Sequence, residues 1–177
     1  LDDRGAARMA VEYLVRSGHR RIGVVTGRPG ISTATDRFDG YREALDEAGI
    51  AFDEDLAVCG DFQIETAKDA TAALLHRRPR PTAIFSTSNL TTIGVMRAIA
   101  EQGFRCPKDV SVAGIGDFEW STAFSPGLTA VVQPVRAMGE RAVECLLARL
   151  AGTAPAEPVR AVFASQLAVR DSCRVIA

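Results

Sequence analysis

The sequence predicts an α/β fold: an open, mostly parallel sheet with helices on both faces. Three observations carry this expectation. Short, uniformly apolar, β-branched runs recur along the chain, as strands buried on both faces require. Between them lie segments with apolar residues at helical spacing, as crossover connections of parallel strands require. The chain has 177 residues, 47% of them hydrophobic and 24% charged, which suffices for one globular core.

The elements follow in order. Ala6, Met9, Ala10, Tyr13 and Leu14 share a helical face, and Gly18 stands where a C-terminal cap belongs. Residues 21–26 (RIGVVT) read as a buried strand ending at Gly27. Residues 27–35, with Pro29, Gly30 and several hydroxyls, read as a loop. Asp36 is placed to cap a helix carrying Tyr41, Ala44, Leu45 and Ala48 on one face, ended by Gly49. Residues 56–59 are a weak strand. Ala67, Ala70, Leu74 and Leu75 mark a helix stopped before Pro79 and Pro81. Residues 83–86 form a strand, and Ile93, Met96, Arg97 and Ala100 lie on a helix ending at Gly103. Residues 110–115 and 130–132 are two further strands. Met138, Ala142, Cys145, Leu146 and Leu150 define a long amphipathic helix, and residues 159–169 read as extended.

Several function classes are disfavoured. Twenty-one Lys and Arg against 22 Asp and Glu leave a net charge of −1, not the positive excess of a phosphate-coating domain. No apolar run reaches the roughly 18 residues of a membrane span. The first residues carry no basic segment followed by an apolar stretch, which argues against a signal peptide, and the missing initiator Met suggests a fragment. Cys59, Cys106, Cys145 and Cys173 are dispersed, so they are expected as small buried hydrophobes in a reducing compartment, with neither zinc nor disulfide. His19 and His76 have no nearby ligand partner, and no metal, cofactor or catalytic role is expected for either. No phosphate loop, nucleophile elbow or zinc-protease signature is present. Gly114-Ile115-Gly116 ends a strand and reads as a tight turn.

The informative residues lie just past the strand ends, where open α/β sheets bind ligands. Thr33 and Arg37 follow the first strand, Phe62 the second, Ser88 and Asn89 the third, Asp117 the fourth and Gln133 the fifth. Each has a plainer reading. Arg37 could pair with an acid, Asp117 could cap residues 118–124, Phe62 could be core, and Ser88 and Asn89 could cap the helix at Thr91. Their convergence on one edge points to a polar, solvent-open pocket, in which Arg37 would contribute little to folding.

A set of motifs then becomes informative. Gly18-His19-Arg20-Arg21-Ile22, Arg37-Phe38-Asp39-Gly40-Tyr41 with Ala44-Leu45, Gly94-Val95-Met96-Arg97-Ala98, Pro107-Lys108-Asp109-Val110-Ser111-Val112-Ala113-Gly114, Leu128-Thr129, and Gln133-Pro134 with Gly139 occur in order. In this set the chain resembles the LacI/GalR family of bacterial transcription regulators, in the C-terminal part of their effector-binding module. That module is like a periplasmic sugar-binding protein, with two α/β subdomains around a ligand cleft.

The resemblance implies that residues 1–132 are the C-terminal subdomain, of the periplasmic-binding-protein-like type I architecture. Residues 133–158 would be a crossover helix belonging to the N-terminal subdomain, and residues 159–177 a return segment. It implies a cytoplasmic, non-enzymatic homodimer that senses a small, sugar-like or other metabolite. DNA would be bound only through an upstream helix-turn-helix absent here. By motif, Arg37 reaches a ligand hydroxyl or carboxylate, Phe62 stacks on a sugar or base face, and Gln133 lies on the crossover strand. Ile93, Arg97 and Phe124 match the dimer face, although periodicity equally allows Ile93 to pack inward. The chain departs from the family at Ser88-Asn89, where Asn-Asp is usual, and at Gly116-Asp117, where Asp-Asp is usual. The alternative from another class is a solute-binding protein of a transport system.

Overall fold

The computed structural model describes residues 1–122 and 125–176. Helix α1 spans Asp3–Arg16 and is capped by the Asp2 carboxylate, which accepts from the Gly5 amide at 2.8 Å. Strand β1 (Ile22–Thr26) follows, then α2 (Ser32–Glu47), β2 (Ala57–Cys59), α3 (Ile64–Leu75), β3 (Ala83–Ser86), α4 (Asn89–Glu101), β4 (Ser111–Ile115), β5 (Thr129–Val132), α5 (Val135–Leu150) and β6 (Gln166–Ala168). The strands form one sheet in the order β2-β1-β3-β4-β5-β6. The first five are parallel, and β6 is antiparallel to β5. The sheet is thus mixed but mostly parallel, as expected.

Alternation along the strands divides the core in two. Ile22, Val24, Phe85, Ala113, Ile115 and Val131 point to the face covered by α1 and α2. There Tyr41 is fully buried, and its hydroxyl donates to the Ile22 carbonyl at 2.7 Å. Val25, Ile84 and Val112 point the other way, against Ala67, Leu74 and Leu75 of α3 and Val95 and Ile99 of α4. Helix α5 packs on neither face. It has no buried residue, and Val135, Val143, Leu146, Leu147 and Leu150 are all exposed.

Three local expectations are corrected. Helix α2 begins at Ser32, one turn before Asp36, so Thr33 is helical and Asp36 caps nothing. Ile31 takes the cap position with extended backbone, its carbonyl accepting from the Ala34 and Thr35 amides, and buried Ala34 anchors the first turn. Of residues 159–169, only Gln166–Ala168 pair as a strand. Gln166 is registered with Val132, the last residue of β5, so the residues before it run past the end of their partner. Cys59 is exposed rather than buried, and the other three cysteines are half-buried. Burial still acts on two of them, pushing the thiol of Cys106 up to about 12 and that of Cys173 up to about 11.

His19 is fully buried in the turn between α1 and β1. Its Nε2–H donates to the Arg174 carbonyl at 3.1 Å, and its Nδ1 lies 2.9 Å from the Thr82 hydroxyl. The ring therefore ties the C-terminal segment to the start of β3. Among the described residues, no helix is long and apolar enough to cross a membrane, and no group of three or more His, Cys, Asp or Glu side chains is placed to hold a metal ion.

Candidate functional site

The strand registers bring the ends of the parallel strands to one edge. Thr26 is opposite Cys59, Val25 opposite Ser86, Ser86 opposite Gly114, and Ile115 opposite Val131. The segments that follow are therefore neighbours: Gly27 and Arg28, Gly60 to Phe62, Thr87 to Asn89, Gly116 and Asp117, and Gln133. Two contacts stitch them together, and a third reaches them from α2. Arg37 donates to the Thr87 carbonyl at 2.6 Å. A Cβ added at Gly27 would fall on the Phe62 ring, so the ring lies across that glycine. A Cβ at Gly116, whose φ is +96°, would fall on the Asn89 side chain. The missing side chain at 116 is what admits Asn89 there.

Arg37 does not line a solvated pocket. Its side chain is 11% exposed, and Nε donates to the Asp3 carboxylate at 2.7 Å, with Nη2 at 2.5 Å from the same oxygen. The expectation of a solvated arginine is corrected, because the guanidinium is buried and paired. Asp117 is likewise committed. Its two oxygens accept from Nη1 and Nη2 of Arg170 at 2.9 and 2.7 Å, and Nη1 also reaches the Leu128 carbonyl at 2.6 Å. These charge-assisted bonds hold the Asp117 carboxyl below the usual carboxylate range and raise Arg170.

Ser88 is the N-cap of α4. Its hydroxyl accepts from the Thr91 amide at 3.3 Å, and the Thr91 hydroxyl accepts from the Ser88 amide at 2.9 Å, a reciprocal capping box. Phe62 is half-buried with a left-handed backbone, φ +55°. Thr33 lies one helical turn before Arg37, and Gln133 directly follows β5; both are half-buried. Of the expected interface residues, Ile93 is half-buried and Arg97 is exposed, with Nη1 at 2.5 Å from Glu65 and Nη2 at 3.6 Å from Glu101. Phe124 lies outside the described residues.

A cavity of about 380 Å³ opens beside this edge, lined by Thr26, Gly27, Pro29, Ala34, Phe38 and Cys59 among others. None of the six expected ligand residues lines it. Sequence reasoning passed over Asp3, Arg170 and the Arg28–Asp61 pair. The same strand-end argument could have found Arg28 and Asp61, which follow β1 and β2. Asp3 and Arg170 carry no such signal.

The periplasmic binding protein-like domain matches residues 11–173. The chain belongs to this family. The HTH-type transcriptional regulator CelR of Thermobifida fusca is 37% identical over 172 residues, covering 97% of this chain and 50% of that protein. The ribose operon repressor of Haemophilus influenzae is 39% identical over 142 residues, covering 80% and 43%. Among solved structures, the complex of the transcriptional regulator CelR with cellobiose superposes with a TM-score of 0.91 at 37% identity, over 97% of this chain and 52% of that one. This periplasmic binding protein-like chain thus spans about half the length of the curated relatives it matches. The resemblance to LacI-type regulators is borne out, and the transport alternative is the less supported reading.

Proposed function

We propose that this chain is the effector-sensing part of a transcription regulator, with Thr33, Arg37, Phe62, Ser88, Asp117 and Gln133 at one side of the effector cleft. The observation that supports this most is the convergence of five strand ends on one polar edge, in a fold that superposes on a regulator solved with cellobiose. In this reading residues 1–132 form one subdomain. Helix α5, within residues 133–158, belongs with a second subdomain, which accounts for its lack of buried residues. Residues 159–177 return to the first. Arg37 and Asp117 are both already neutralised by Asp3 and Arg170, which favours an uncharged effector held by neutral hydrogen bonds and the Phe62 face.

The effector stabilises one subdomain arrangement over another and so biases DNA binding by an upstream helix-turn-helix. The regulator acts as a cytoplasmic homodimer through the face around Ile93, Arg97 and Phe124, and it performs no catalysis. Calorimetric titration with cellobiose, ribose and glucose 6-phosphate tests the effector class. Saturable binding of a neutral sugar and none of the phosphate ester is expected. Binding of the phosphate ester alone overturns the reading of an uncharged effector.

A further inference from the structure

We propose that Arg28 and Asp61 form a clamp that presents Phe62 to the effector, making both of them positioning residues of the site. The inference rests on the reading of Phe62 as an effector-facing aromatic. Two consecutive non-glycine residues, Asp61 and Phe62, have φ of +54° and +55°. Aspartate tolerates this region because of its short polar side chain, but a bulky aromatic residue there is an outlier. Such a conformation persists only where its surroundings over-determine it, and it concentrates at ligand sites.

The surroundings are visible. The ends of β1 and β2 are joined where their loops begin, by the Gly60 amide on the Thr26 carbonyl at 2.8 Å and the Cys59 thiol on the Gly27 carbonyl at 3.4 Å. Arg28 closes the far side. Its Nε and Nη2 donate to the two Asp61 oxygens at 2.6 and 2.9 Å, a bidentate geometry that fixes direction as well as distance. Gln63 Nε2 adds a bond to Asp61 at 3.2 Å. With Asp61 held this way, the next residue is directed over Gly27, the only residue type that leaves room for the ring. The Arg28 and Asp61 side chains are 58% and 25% exposed, so the pair adds little to global stability. Its effect is local, on the direction of one ring.

The test places 4-fluorophenylalanine at position 62 alone and reads its single fluorine resonance in the 177-residue chain. In Arg28→Ala the resonance moves towards that of the free amino acid, with the melting temperature nearly unchanged. Asp61→Asn retains the left-handed preference but loses the charge, and moves it less. The double variant resembles Arg28→Ala, because the two residues act through one bond pair. Cellobiose, titrated against the same resonance, binds about three- to tenfold more weakly to Arg28→Ala, as expected for the loss of a preorganised contact. An unmoved resonance in Arg28→Ala, additive shifts in the double variant, or unchanged cellobiose affinity despite a displaced ring each overturn the proposal. A native chain that takes no cellobiose counts against the neutral-saccharide reading and not against the clamp, which the resonance then decides alone.

Discussion

The Arg37 guanidinium and the Asp3 carboxylate, 34 positions apart, form an ion pair whose side chains are 11% and 10% exposed. Removing one partner leaves the other largely buried without its counter-charge. Arg37→Ala should therefore destabilise the fold by about 2–4 kcal/mol, with Asp3→Ala similar and the double variant well short of the sum. Denaturant unfolding of the three variants measures this. A loss under 1 kcal/mol for Arg37→Ala would mean that the pair is hydrated in solution.

Asp117 and Arg170 join the end of β4 to the C-terminal segment. The native Asp117 carboxyl is depressed, so its contribution is present above the ordinary aspartate range and is lost as pH falls below that range through the lower folded value. Asp117→Asn should cost about 1–2 kcal/mol at neutral pH and flatten the acid limb of the stability profile below about pH 4. Amide exchange at residues 170–172 should quicken, because the Arg170 anchor is released. Unaltered exchange there would contradict this account.

His19 titrates in the opposite sense from a paired histidine. Burial lowers its pKa from 6.5, so the unfolded chain binds the proton more readily. Stability should be full above about pH 6.5 and fall as pH drops below it. His19→Gln should be less stable at pH 8 and show a shallower slope between pH 7 and 5. Melting temperatures over that range decide it, and equal slopes in the two proteins would count against it.

Ser88 gives a clean separation of roles. As the N-cap of α4, Ser88→Ala should cost about 1 kcal/mol and Ser88→Gly only about 0.3 kcal/mol. If the hydroxyl served the effector alone, both variants would melt like the native chain.

Self-association is read by light scattering. If α4 supplies the dimer face, the chain should be dimeric at high micromolar concentration, and Ile93→Asp should convert it to monomer. A dimer that survives Ile93→Asp would direct attention to the exposed leucines of α5.

Local pattern settled much of this protein. Apolar runs placed all five parallel strands, helical spacing placed the helices between them, and the strand-end rule gathered Phe62, Ser88, Asp117 and Gln133 on one edge. These features are legible because they depend on periods of two and 3.6 residues, which a window of the chain contains. The start of α2 was misread because Asp36 is a good cap in isolation, whereas buried Ala34 pulls the helix back to Ser32.

Only the tertiary structure decided what those edge residues contact. Arg37 finds Asp3 across 34 positions and Asp117 finds Arg170 across 53. No local pattern encodes such pairings. Asp61, which precedes Phe62 in the same left-handed turn, likewise finds its partner Arg28 on another loop, 33 positions away. Hydrophobic periodicity is a property of neighbours in sequence, and charge pairing in a folded sheet is a property of neighbours in space. The first determined the architecture of this chain, and the second determined which of its edge charges are already paired.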